Sequence, residues 1–240
     1  DCAYGTLYLD RLYTVLARDS AAQDWRLSAA AAKYIANAMA YDDVIRVADL
    51  KTRAPRFAHI RQEMRAGDAN LMQLTEYFHP RADEIAGLMP ARLGAKVEAS
   101  EKWMARLNRW FDKGRRLRTD RLPAFLMLHV LGGLKGYRLR THRHAIEVAH
   151  LDGWLSRCLA EVEADYDSAV ELVKCRRLIK GYSDTHARGL GKFDKVMDAA
   201  ALLRGRKDAA QWIARLREAA LQDAEGKAID GAIATVRSFV

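Results

Sequence analysis

From Thr141 to Lys180 the apolar positions Leu151, Leu155, Leu159, Val162, Tyr166, Val170 and Val173 recur at steps of 4, 4, 3, 4, 4 and 3. That spacing is the period of an α-helix with one buried stripe, so the pattern predicts a single long helix across the stretch. Earlier, residues 4–18 place Tyr8, Leu12, Val15 and Leu16 together on one helical face. The break DSAAQD follows, with Asp24 positioned to cap a helical run from about Trp25 to Met64. Within that run Asp42–Arg46 and Asp49–Arg53 stand at i,i+4 spacing, and Pro55 is expected to kink or end the helix.

The stretch NLMQLTEYFHP (70–80) carries no decisive period, and its Leu, Thr, Tyr and Phe suit a short strand as well as a helix. Pro80 opens a short helix that closes before Pro90, and Trp103, Leu107, Trp110 and Phe111 mark another from about Glu98 to Lys113. A basic turn, KGRRLRTD, leads to a helix starting near Asp120 with Pro123 in its first turn. Phe193–Arg204 and Asp208–Asp223 read as further helices with Gly205 and Gly226 at their ends, and residues 228–240 as a last one. The predicted fold class is all-α, a multi-helix bundle with one long central helix and room for one short strand near 70–77. The expected organisation is one helical domain over 1–240, excised from a longer chain because Asp1 falls inside a helical pattern, with 200–240 as a C-terminal helical appendage.

Composition supports a folded chain: 240 residues, half of them hydrophobic, with prolines only at 55, 80, 90 and 123. No apolar run approaches the ~20 residues that span a bilayer, and no signal peptide is recognisable, so neither a membrane nor a secreted location is expected. Cys2, Cys158 and Cys175 are far apart and form no CxxC, which excludes a cluster or zinc site built from cysteines alone. Unpaired thiols on helical segments point to the reducing cytoplasm.

Charge changes the picture more. The formal net charge is +9, but residues 102–143 hold 12 Lys and Arg against only Asp112 and Asp120, while the remainder holds 28 basic and 29 acidic residues. The arginine turn with Arg115, Arg116 and Arg118 is therefore a candidate for gripping phosphates, or for docking on an acidic surface. Nucleic-acid binders usually add a fold motif or stacking aromatics, and Tyr137 is the only aromatic between Phe125 and His142, so nucleic acid is not the favoured partner.

The other candidate is the cluster KGYSDTHARGLGK. Lys180, Tyr182, Asp184, Thr185, His186 and Arg188 are placed to meet a ligand or an interface. Gly181 followed by Ser183, Asp184 and Thr185 is also what a left-handed helix end and the cap of the next helix require. His144, Glu147 and His150 stand at i, i+3 and i+6, spread too far around a helix (~100° per residue) to share a metal. GGLKG and GLG lack the spacing of phosphate loops, and no Gly-x-Ser-x-Gly is present. No catalytic residue and no metal ligand is assigned.

Four stretches, AYDDVIRVADLKTRAPRF (40–57), TEYFHPRADEI (75–85), KGRRLRT (113–119) and RLIKGYSDTHARGLGKFDKVM (177–197), occur in that order. Together they resemble the C-terminal helical region of the indolepyruvate oxidoreductase beta-subunit family, among the 2-oxoacid:ferredoxin oxidoreductases. Ser183 stands where that family commonly has glycine, and residues beyond about 200 carry little of the likeness. The resemblance implies oxidative decarboxylation of aryl-pyruvates by the whole enzyme, using thiamine diphosphate, CoA, iron–sulfur clusters and ferredoxin. It implies no cofactor on this chain, with thiamine diphosphate and the clusters held by a partner subunit or other domains. The implied partners are an N-terminal gamma-type domain of the same chain and the catalytic subunit. The expectation is thus an accessory helical domain supporting assembly or docking, the alternative being a basic module for nucleic acid or an anionic ligand.

Overall fold

The computed structural model describes residues 2–67, 69–111, 113–181, 183–222 and 225–240. Among them are thirteen α-helices and one two-stranded antiparallel sheet, the all-α class the sequence predicts. The chain divides into two compact units, Asp1–Tyr41 with Glu147–Val240, and Asp42–Ile146.

The first unit gathers α1 (Cys2–Leu16), α2 (Arg26–Met39), most of α9 (His142–Glu161), α10 (Tyr166–Lys174), α11 (Ser183–Leu202), α12 (Ala209–Gln222) and α13 (Lys227–Phe239). Their apolar faces meet in one core around Leu27, Ile35, Val173, Val196, Leu216 and Ile229. On α1, Tyr8 and Leu12 pack on this core and Val15 is buried, but Leu16 is exposed because two adjacent helical residues cannot share one narrow stripe. The expected cap of α2 moves: Asp24 and Trp25 both take left-handed backbone, and no side chain caps at Trp25. Asp19 does the work instead, one carboxylate oxygen accepting from the Ser28 amide (2.8 Å) and the other from the Tyr166 hydroxyl (2.8 Å).

The long helix expected over 141–180 arrives in two pieces. α9 stops at Glu161, and α10 restarts after Asp165, whose carboxylate accepts from the Ser168 amide at 3.1 Å. Leu151, Leu155, Val170 and Val173 are nevertheless all buried in the same core. A 3₁₀ turn over Cys175–Leu178 ends this segment, and Gly181 then takes the left-handed conformation (φ 73°) that the sequence expects of it.

The second unit holds α3 (Val44–Thr52), α4 (Ala54–Glu63), α5 (Ala82–Leu88), α6 (Ala91–Glu98), α7 (Glu101–Phe111) and α8 (Leu122–Gly133), with strands β1 (Thr75–Phe78) and β2 (Arg115–Arg118). The run expected from Trp25 to Met64 is broken at Asp43, which caps α3 by accepting from the Arg46 amide (2.7 Å), and Pro55 falls in the first turn of α4. The Asp42–Arg46 and Asp49–Arg53 pairs form as spaced. The ambiguous stretch resolves into β1, and its partner is the arginine turn: Thr75 faces Arg118, Glu76 Leu117, Tyr77 Arg116 and Phe78 Arg115. α3 and α8 pack with their backbones close, since a Cβ on Gly132 would lie 2.7 Å from the Asp49 Cα.

Candidate functional site

The turn between α10 and α11, in the first unit, separates the residues that the sequence grouped. Tyr182 lies outside the described residues, as does the side chain of Ser183. Asp184 is exposed near the start of α11. His186, one turn along, faces the interior: its Nε2 lies 3.3 Å from Oε1 of Glu147 on α9. The other oxygen of Glu147 lies 3.8 Å from Nη2 of Arg176 in the 3₁₀ turn. Both Glu147 and Arg176 are only 4% exposed, and two opposite charges at that depth are tolerable only as partners.

His150, one turn after Glu147 on α9, packs its ring against Phe193 at a centroid distance of 5.3 Å. Burial pushes its pKa down, and Arg176 adds to this, while Glu147 and Asp194 pull the other way. On α10, Glu171 sits between Lys174 (2.6 Å) and Arg217. Burial alone would raise this carboxyl, but the two cationic hydrogen bonds outweigh it and hold the pKa low. Burial pushes the Cys175 thiol up to about 12, so this cysteine is an inert core residue.

Thr185 and Arg188 turn to a different side of α11. With Lys192 they form a stripe at i, i+3 and i+7, which one helical face presents together. The stripe lines a cavity of about 230 Å³ that Lys180, Leu178 and Leu221 also border. Gly189, on the same face, lets the 3₁₀ turn come close, since a Cβ there would sit 2.6 Å from the Leu178 carbonyl oxygen. Lys192 donates to the Ala220 carbonyl at 3.0 Å, which fixes its ammonium at the cavity wall. Lys180, Thr185 and Arg188 are therefore brought together, and His186 is drawn away from them. Lys192, Glu147 and Arg176 were not singled out as site residues; only the helical step from Arg188 to Lys192 could have pointed to the first.

Arg115, Arg116 and Arg118 belong to the second unit. Arg118 pairs with Asp120 at 2.6 Å, and Arg116 lies over the Tyr77 ring at 5.5 Å from its centroid. Arg138, from the same basic window, is paired with Asp43 at 2.5 Å. Part of the local positive excess is thus neutralised inside the unit. Among the described residues no group of three His, Cys, Asp or Glu could hold a metal ion, and no helix is long and apolar enough to cross a membrane.

A family model described as a family of unknown function, DUF6537, matches residues 1–199. The chain belongs to that family. No curated protein and no solved structure matches the chain. Within the DUF6537 match fall the Glu147–Arg176–His186 cluster and the stripe of Thr185, Arg188 and Lys192, whereas the cavity walls at Ala220 and Leu221 lie beyond it.

Proposed function

We propose that the chain is an accessory, non-catalytic helical domain of an indolepyruvate (2-oxoacid):ferredoxin oxidoreductase subunit, and that α8 docks it on its neighbours in that assembly. The ordered likeness of residues 40–57, 75–85, 113–119 and 177–197 to that enzyme family supports the identity of the assembly. The observation that carries the docking role is α8 itself. This helix buries Leu128 and Gly132 on one side and leaves Leu122, Leu126, Met127 and Val130 exposed on the other. Leu122 is 68% and Val130 67% exposed, too much apolar surface on one short helix for a face meant only for water.

In this reading the catalytic subunit covers that face, and thiamine diphosphate and the iron–sulfur clusters reside on that subunit or on other domains. The free, buried thiols of Cys158 and Cys175 support a reducing cytoplasmic setting. The pairing of Arg118 and Arg138 with carboxylates counts against the nucleic-acid alternative, because arginines already neutralised contribute little to phosphate binding.

The test is co-purification of the chain with the catalytic subunit, for the wild type and for Leu122→Glu/Val130→Glu. Each large apolar side chain removed from such a contact forfeits about 1.5–3 kcal/mol, so the double variant should bind at least ten-fold more weakly while keeping its helical circular dichroism. Failure of the wild type to associate, or full association by the variant, would sink the reading.

A further inference from the structure

Two cavities of the first unit differ in charge. The larger, about 290 Å³, is lined by Arg157 and Arg204 together with Glu161 and Asp198, and Arg204 is already bound to Glu161 at 2.8 Å. The smaller, about 230 Å³, is lined by Lys180, Arg188 and Lys192 and by no acidic residue among those described. Neither Lys180 nor Arg188 has a carboxylate partner among the described residues, whereas Arg26, Arg206 and Arg217 of the same unit pair with Asp167, Asp208 and Glu171.

Three cations around one concavity repel one another, and Arg188 and Lys192 do so at the i,i+4 spacing where like charges destabilise a helix. A fold that keeps them together gains from an anion between them. The donor set also names the kind of anion. A guanidinium offers two parallel N–H donors to a pair of oxygens, an ammonium offers a point charge, and the Thr185 hydroxyl offers one further donor. Oxygens spread over a tetrahedral, multiply charged group use all three.

We infer that the cavity bounded by Lys180, Thr185, Arg188 and Lys192 is a phosphate-binding site, taking the phosphate or diphosphate end of a ligand. Its volume is below the roughly 300–1,000 Å³ of sites that enclose a drug-sized ligand, so it holds the charged end group and leaves the remainder outside. Leu221, only partly buried, supplies the apolar edge against which that remainder would rest. The site lies in the first unit and does not depend on α8 or on the identity of the assembly.

Isothermal titration of the full chain at low salt, with inorganic diphosphate and with a nucleoside diphosphate, tests the inference. Lys180 and Arg188 are exposed, so Lys180→Ala/Arg188→Ala should keep the fold, checked by circular dichroism, and should weaken diphosphate binding at least ten-fold. Arg115→Ala/Arg116→Ala, which removes the same charge from β2, should leave binding unchanged. Equal affinity for the two ligands would mean that the site reads the phosphates alone, and tighter nucleoside diphosphate binding that the apolar edge is used; both support the site. Absence of binding by the wild type at ~1 mM ligand, or equal loss in both double variants, would overturn it.

Discussion

A methyl group on Gly189 would sit 2.6 Å from the Leu178 carbonyl oxygen, whereas one on Gly191 would meet nothing within 4 Å. The two glycines share α11 and differ only in what faces them. Gly189→Ala forces the 3₁₀ turn away from α11 and is expected to cost about 1–3 kcal/mol, as overpacking does. Gly191→Ala only removes a flexible residue from a helix interior and should add up to ~1 kcal/mol. Urea denaturation of the two variants beside the wild type separates these signs. In sequence the pair only failed the spacing of a phosphate loop, because spacing shows that a glycine is present and not which backbone approaches it. The same limit applied to His186: its neighbours in the chain suggested a ligand, but its partner Glu147 lies 39 residues away, on an element that also pairs with Arg176. Lys180, Thr185 and Arg188 were legible because a crowd of polar groups at one helix junction exceeds what capping needs.

The same cluster sets a pH dependence. His150 has its pKa lowered by burial and by Arg176, so the folded state resists the proton that the unfolded chain accepts near the usual ~6.5. Above that value both states are neutral at this site and it has no effect on stability. As pH falls below it, the unfolded chain binds more protons, and stability drops until the lower folded pKa is reached. His150→Gln removes this contribution while keeping a polar side chain of similar reach. Its denaturation midpoint should therefore fall less than that of the wild type between pH 7.5 and 5.5. Identical pH slopes for the two proteins would show that His150 titrates normally.

For the elements, period proved a better guide to burial than to continuity. The apolar stripe from Leu151 to Val173 runs unbroken through the core, yet the backbone stops at Glu161 and restarts at Tyr166. A chain can turn and re-enter with its next apolar residue on the same core, and the spacing then hides the break. The signal that was present is Asp165, three residues before Ser168, a cap and its partner. Its carboxylate accepts from the Ser168 amide and from the Ser168 hydroxyl (2.5 Å), and Ser168 is buried. Asp165→Ala loses the cap and leaves that hydroxyl unsatisfied, for an expected cost of about 1–3 kcal/mol by thermal or chemical denaturation, with Asp165→Asn retaining most of it. The hairpin was legible only by half. β1 carries strand-forming residues, but β2 is four residues of which three are arginine, and its strand character comes from pairing with β1 across 36 intervening residues. No local pattern contains that information.

For the whole molecule, the family match and the folded unit end in different places. The DUF6537 model stops at residue 199, inside α11, while the core of the first unit continues through Leu203, Ile213, Leu216, Ile229 and Val236, all 2% exposed or less. These side chains pack on the same cluster as Leu27 and Ile35 of α2 and Val173 of α10. Burying each of the four larger ones contributes about 1.5–3 kcal/mol, and their sum rivals the roughly 5–15 kcal/mol that a domain has in total. A fragment cut at residue 199 therefore exposes the faces of α10 and α11 on which α12 packs, and α2 rests in turn on α10. Hydrogen exchange read by mass spectrometry should show α2 and α10 amides protected in the full chain and freely exchanging in fragment 1–199. The second unit, whose residues 42–146 are untouched by the cut, should keep its protection in both and serve as the internal reference. Unchanged protection of α2 and α10 in the fragment would make residues 200–240 an appendage after all. The core would then be held by α1, α2, α9, α10 and the first part of α11 alone.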